Sequence, residues 1–361
     1  MLIKDLATTW LQYLETRKRK PVKPASLQTY GCYVRLWIIP IIGDAEIETF
    51  QSRQMKEFVE ALVIKKLSAK TIHEVVSATK AIIRHAVDDN GEQLFQRNWN
   101  SRFIDAPNVT NQKGSMVRPE QLEAALHDPK YRVLYAFLAG TGLRIGEAAA
   151  VRIGSTDGHS CWDPAGSVVH IRTSMWNRQE QLPKTKAAVR SVDLDPRLNE
   201  LLKKYVGQRT GFLFVNKAGG SIHVNGVRER SLKGLGIEGF HSFRRFRITR
   251  LRELGTPEDI IRFWVGHAGA SITDRYSKLA DMKDLRKQWA QRSGLGFELP
   301  DLTGDTPPMK KSKPSATPKA RKKSFAADPR SVRAAVASEE RRKSALDIEW
   351  QEKFNAEEVN Q

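Results

Sequence analysis

His241-Ser242-Phe243-Arg244-Arg245, Val265-Gly266-His267-Ala268-Gly269 and Thr273-Asp274-Arg275-Tyr276-Ser277-Lys278 belong to one continuous stretch, and the reading of the whole chain turns on it. His241 and Arg244 are three residues apart, so a helix starting there puts an imidazole and a guanidinium on one face. Thr256-Pro257-Glu258-Asp259 predicts the start of the next helix, with Thr in the capping place, Pro in the first turn and acids at the positive end of the dipole. That helix delivers the chain to Gly266-His267, and Tyr276 follows nine residues after His267. Taken singly these signals are common, because His-x-x-Arg arises on many helices and a tyrosine usually packs. Their order and spacing carry the information.

Upstream of this stretch, Pro119-Glu120 opens a helix, and an apolar helix over Tyr131 to Leu138 runs into Gly140-Thr141-Gly142. The glycines allow a sharp turn and close approach of the backbone to a ligand. A helix then resumes through Leu143-Arg144-Ile145-Gly146-Glu147. Arg144 and Glu147 are spaced as an ordinary surface ion pair, but directly after a glycine turn the carboxylate is better read as orienting the guanidinium. Ser167 to Arg172 and Ala188 to Leu194 have strand character and flank the polar segment Gln179 to Lys186, which predicts a β-hairpin with a lysine near its tip. Lys184 and Lys186 compete for that place.

An arginine after Thr-Gly-Leu, a lysine on a hairpin, His-x-x-Arg, Gly-His and a tyrosine nine residues on resemble the signature of the tyrosine recombinases, also called phage integrases. The matching residues are Arg144, Lys184, His241 with Arg244, His267 and Tyr276, and the resemblance covers about residues 1 to 295. Resemblance favours Lys184 over Lys186. Two departures are modest: Phe246 stands where a small hydroxyl residue is usual, and Arg245 is one of several types tolerated. The resemblance implies a complete site that breaks and rejoins DNA through a 3′-phosphotyrosyl intermediate, at specific sites and as a homotetramer on attachment or core-site DNA, as in the integrase of a phage or other mobile element.

The side chains suit that chemistry. Guanidinium groups hold the non-bridging oxygens of a phosphoryl transition state in a planar fork without losing their charge, which fits Arg144 and Arg244. His267 can donate a further hydrogen bond, and His241 can accept or relay the nucleophile's proton. Tyr276, with an unperturbed pKa of about 10, needs such positive neighbours to attack as a phenolate, while Lys184 can protonate the leaving alkoxide. No metal and no cofactor are expected. The two alternatives are a DNA-binding protein that keeps the fold without chemistry, and relaxation of supercoils in the manner of a type IB topoisomerase.

Composition bounds the rest. A chain of 361 residues is long enough for two compact domains, and a formal charge of +19 favours a polyanion such as nucleic acid. Cys32 and Cys161 lack metal-ligand or disulfide-framework spacing and are read as reduced thiols. No apolar run reaches the roughly 18 residues of a membrane span, and the N-terminus has no signal-peptide layout, so a cytoplasmic, DNA-associated protein is expected.

The architecture expected is mainly α with a small β-sheet. Residues 1–102 read as a helical, DNA-binding domain of four helices: Ile3 to about Arg17, Ser26 to Pro40, a third after Ser52, and a fourth capped by Ser68 and closed by Asp89-Asn90-Gly91. In the family this is the core-binding domain, and no arm-binding module is expected ahead of it. Lys18, Arg19, Lys20 and Lys23 cluster in the loop before the second helix and suit phosphate contacts. Residues 103–115 read as a linker and 116–297 as an α+β catalytic domain. That domain includes a helix at Leu198 to Tyr205, a short strand at Phe212 to Val215, a helix at Val224 to Leu232 and a last helix from Met282 to Ser293. Leu285 and Trp289 on that last helix pack either at home or on a neighbouring protomer.

Residues 298–361 form a basic tail, expected to be disordered, because Thr303 to Arg330 has hardly any large apolar side chain to offset its ordering entropy. Met309 to Lys323 holds seven basic residues and no acid. Such a segment serves as a solubilising tail, a contact for an accessory protein or a mobile phosphate contact. In the last case, truncation after Pro300 should weaken binding to long core-site DNA at low salt and flatten the plot of log affinity against log salt. Parallel salt plots for the truncated and full-length chains would exclude it.

Overall fold

A repeat of apolar residues every three or four positions packs the first helices against one another. In the computed structural model, which describes residues 1–110, 114–154, 157–183, 186–267 and 279–300, these are α1 (Ile3–Thr16), α2 (Pro24–Tyr33) with its extension α3 (Ile39–Ile42), α4 (Ser52–Ile64) and α5 (Ala69–Arg84). Leu6, Trp10 and Leu14 of α1 meet Met55, Phe58 and Leu62 of α4 and Ile72, Val75, Val76 and Ile82 of α5 in one buried cluster. Ser68 caps α5 as expected, its hydroxyl accepting the Thr71 N–H at 3.2 Å. A short helix α6 (Ser101–Ile104) adds Ile104 to the same cluster.

Pro40 does not end the second helix. A wide π turn, Val34–Ile38, joins α2 to α3, and the Ile39 N–H reaches back five residues to the Val34 carbonyl. Pro40 then falls just after this wide turn, at the start of α3.

A second buried cluster runs from Val117 to Leu295. Its helices are α7 (Pro119–Leu126), α8 (Arg132–Thr141), α9 (Ile145–Ala150), α10 (Pro196–Val206), α11 (Val224–Val227), α12 (His241–Glu253), α13 (Glu258–Val265) and α14 (Lys283–Ser293). The expected helix from Val224 to Leu232 is α11 followed by a π turn, Arg228–Leu232. Alongside lies a four-stranded sheet in the order β1 (Arg152–Ile153), β2 (Cys161–Asp163), β3 (Val168–Ile171) and β6 (Arg190–Asp193). The β1 and β2 pair is parallel and the others antiparallel, with Val168 opposite Asp193 and Ile171 opposite Arg190.

The expected pairing of β3 with β6 is present, but the segment between them is not one long loop. It contains its own hairpin, β4 (Ser174–Trp176) and β5 (Gln179–Gln181), turning through Asn177 and Arg178, both at positive φ. The polar composition of Gln179-Glu180-Gln181 hid the strand, because Glu180 meets polar partners, Arg152, His159 and Thr173, rather than apolar ones. Lys184 lies outside the described residues. Phe212 to Val215 forms isolated bridges to Arg152 and Ser221 rather than a strand.

Thr256 does not cap α13 either: its hydroxyl shares a hydrogen bond of 2.7 Å with Ser293, and Pro257 takes the capping position. That bond helps seat α14 on its own chain. The buried side of α14 is Arg286, Ala290 and Ser293, while Trp289 packs at the edge of the core and Leu285 is exposed. Arg286 donates from Nε to Asp193 Oδ2 at 2.8 Å, and from Nη1 to the Leu279 and Ala280 carbonyls. The same Asp193 oxygen accepts the Trp264 indole N–H at 2.9 Å. Among the described residues no helix is long and apolar enough to cross a membrane.

With side-chain exposures of 3% and 2%, the Arg286–Asp193 pair is out of water, and removing one partner strands the other. Arg286→Ala should therefore lower unfolding free energy in denaturant by about 3–5 kcal/mol. Leu285→Ala, one position away on the exposed face, should change it by less than about 0.5 kcal/mol.

Candidate active site

Arg144 stands at the N-terminal cap of α9, straight after the Gly142 turn. Its backbone N–H donates to Glu147 Oε2 at 3.0 Å and its Nη1 to Oε1 at 2.9 Å, so one carboxylate fixes both the main chain and the guanidinium. The Arg144 side chain keeps 43% of its surface accessible. This is the orienting role read from the spacing. Helix α9 comes this close to β4 because residue 146 is glycine: a Cβ there would lie 2.7 Å from Ser174 Oγ and 2.8 Å from the Met175 carbonyl.

His241 opens α12 and Arg244 follows one turn later. Arg244 is buried, with 1% of its surface accessible. Its Nη1 donates to the Gly142 carbonyl at 3.0 Å and its Nη2 to the Val265 carbonyl, so it bridges the turn before Arg144 and the helix end before His267. Burial, with Arg144 next, pushes its pKa down to about 10, and it stays charged at neutral pH. Both histidine rings remain open to solvent on one side. Desolvation pushes each below its usual 6.5; for His241 the further causes are Arg244, Arg245, Arg144 and His267, and for His267 they are Arg244, Arg144, Arg190 and Arg262. The structure thus brings Arg144, His241, Arg244 and His267 to one place. Lys184 and Tyr276, the other two sequence-predicted members, lie outside the described residues.

One participant escaped sequence reading. Arg190, on β6, donates from Nη2 to Glu147 Oε2 at 2.9 Å and from Nη1 to Oε1 at 3.3 Å. It also donates from Nε to the Trp264 carbonyl at 2.6 Å and from Nη1 to the Ala188 carbonyl at 2.9 Å. Burial pushes the Glu147 carboxyl upward, but Arg190 and then Arg144 outweigh it and hold the pKa below the ordinary carboxylate range. A charged residue at an inward position of a strand was the available signal.

The basic loop sits elsewhere on the chain. Lys18, Arg19 and Lys20 are exposed, and the Arg17 Nε donates to the Lys20 carbonyl at 2.7 Å to shape the bend. Lys23 is half-buried and its Nζ donates to the Leu182 carbonyl at 2.9 Å, next to the segment that carries Lys184.

Comparison with known proteins agrees with the fold. The phage integrase family model matches residues 116–283, and the model of the phage integrase N-terminal SAM-like domain matches residues 6–63. A tyrosine recombinase XerC-like protein of Caldanaerobacter subterraneus is 24% identical over 306 residues, covering 74% of this chain and 77% of the relative. Among solved structures, the Tn1549 transposon integrase in complex with transposon right end DNA aligns with a TM-score of 0.61 at 19% identity, over 79% of this chain and 99% of that one. A lambda integrase dimer bound to a COC′ core site aligns at 0.52 and 15% identity, over 84% and 100%. The chain belongs to the phage integrase family and is a tyrosine-type site-specific recombinase.

The depressed histidines give a direct check. In the DNA-free protein, the His241 and His267 imidazoles should titrate in NMR below 6.5, and both should be neutral at pH 7. A midpoint above 6.5 for either would mean that desolvation and the neighbouring guanidinium groups do not govern that ring.

Proposed function

We propose that the chain cleaves and rejoins DNA strands through a covalent 3′-phosphotyrosyl intermediate, with Tyr276 as nucleophile and with neither metal nor ATP. The observation that carries this reading is the convergence of Arg144, Arg244, His241 and His267, with one carboxylate beside them among the described residues, the buried Glu147, bonded to Arg144 and Arg190. A cluster with that balance suits a phosphodiester, whose extra negative charge in the transition state is held by guanidinium and imidazole donors.

In the forward step the Tyr276 oxygen bonds to phosphorus and the bond to the 5′ oxygen breaks. His241 accepts or relays the phenol proton, and Lys184 gives a proton to the departing 5′ oxygen, with Lys186 the alternative donor. The new phosphodiester keeps the bond energy, so the 5′-hydroxyl of another strand attacks it, releases the tyrosine and seals the joint. Arg144 and Arg244 hold the non-bridging oxygens, with His267 as a further donor.

In this reading residues 1–102 and 116–297 grip duplex DNA from two sides, joined by residues 103–115, and Lys18, Arg19, Lys20 and Lys23 contact phosphates. The DNA complexes of the Tn1549 and lambda integrases support DNA as the partner. A homotetramer on attachment or core sites is the assembly that strand exchange between two duplexes requires, and a cytoplasmic, nucleoid-associated location follows from that substrate. Residues 298–361 lie beyond the catalytic segment and supply flanking DNA contacts or an accessory contact.

Tyr276→Phe removes a hydroxyl and no charge. It should abolish covalent protein–DNA trapping on a nicked suicide substrate while leaving gel-shift affinity within about twofold. Substantial trapping by the variant would sink the assignment of Tyr276.

A further inference from the structure

We propose that Arg190 is a positioning residue that sets Arg144 and His267 at once, an inference that rests on the reading of the active site above. Its side chain is 1% exposed, and its Nε, Nη1 and Nη2 all donate to oxygens of the protein. These bonds reach the supports of two other groups of the site. On one side it makes two bonds to Glu147, the carboxylate that holds both the backbone and the guanidinium of Arg144. On the other its Nε bonds the Trp264 carbonyl in the last turn of α13, three residues before His267.

The fit against α13 is close. Gly266 takes a φ of +66°, and a Cβ at that position would lie 2.9 Å from Arg190 Nη1 and 3.0 Å from both Cζ and Nε. The guanidinium is therefore packed on the backbone of the residue next to His267. An L side chain at residue 266 would be strained by the φ and would push Arg190 off Glu147.

Only arginine can serve both sides. Its donors leave in fixed directions from one plane, so satisfying the Glu147 oxygens and the Trp264 carbonyl together fixes α9 and the end of α13 relative to β6. A lysine supplies charge from a single nitrogen and cannot hold both. Strand β6 also follows directly on the segment containing Lys184 and Lys186, and Arg190 is hydrogen-bonded to the Ala188 carbonyl within that return. One buried side chain thus links three segments that carry reacting groups.

The test uses the full chain and a nicked suicide DNA, comparing wild type with Arg190→Met, Arg190→Lys, Glu147→Gln and the Arg190→Met/Glu147→Gln double variant. Gel shift gives DNA affinity, and single-turnover trapping at saturating DNA gives the cleavage rate. Arg190→Met should lose on the order of 100-fold in rate, the cost of a misplacement of about 1 Å, with affinity within about threefold. Arg190→Lys should recover part of the rate. The double variant should be no slower than the slower single variant, because the two residues act as one unit.

Wild-type cleavage rates in Arg190→Met, or full recovery in Arg190→Lys, would overturn the positioning role and leave the active-site reading intact. So would equal losses of affinity and rate in Arg190→Lys. Additive losses in the double variant would do the same. A wild-type protein that binds the DNA but forms no covalent complex would overturn the reading of the site, and this inference with it.

Discussion

Glu147 is a buried carboxylate shared by two guanidinium groups, and the candidate site is arranged around that sharing. A carboxylate with 4% of its surface exposed needs compensation, and a single cation would leave lone pairs unsatisfied. Arg190 supplies the buried half of the compensation and Arg144 the accessible half. The consequence is asymmetric. Arg190 is spent inside the protein, whereas Arg144 is oriented by the same carboxylate with much of its guanidinium still open.

Helix ends do similar work nearby. The last carbonyls of a helix lack intrahelical partners and carry the negative end of its dipole. Arg244 donates to the carbonyls of Gly142, which ends α8, and Val265, which ends α13; Arg190 takes that of Trp264. Positive groups are thereby gathered with backbone dipoles, with Glu147 the one carboxylate among Arg144, Arg190 and Arg244 in the described contacts. Desolvation first, and then the surplus of positive charge in this cluster, depress both histidines in the absence of an anion. A phosphate placed there would raise both rings toward the protonated state.

Asp193, three residues further along β6, shows the same economy. It accepts from Trp264 on the helix before residues 268–278 and from Arg286 on the helix after them. The helix after Tyr276 is thus fastened to its own chain by a buried ion pair, although its sequence displays Leu285 and Trp289 as the obvious contacts. Leu285 faces solvent because the inward side of α14 is set by Arg286, Ala290 and Ser293.

The sequence by itself determined a good deal. Apolar periodicity is local information, and it sufficed for the four N-terminal helices and for α8, while the His-x-x-Arg spacing and the Thr-Pro-Glu-Asp start signalled α12 and α13. The order of Arg144, Lys184, His241, Arg244, His267 and Tyr276 carried the resemblance to the family, because residue types and their spacing are visible in the sequence. Arg144 with Glu147 was legible for the same reason: the two are three residues apart. Arg190 and Asp193 were not, since the groups they bond lie 43 and 93 residues away in the chain, at Glu147 and Arg286. The continuation of the second helix past Pro40, the extra hairpin at Ser174 to Gln181 and the hydroxyl pair Thr256–Ser293 were equally hidden. In each case a long-range contact or a shift in the hydrogen-bond ladder overrides a local preference, and only the tertiary structure supplies the partner.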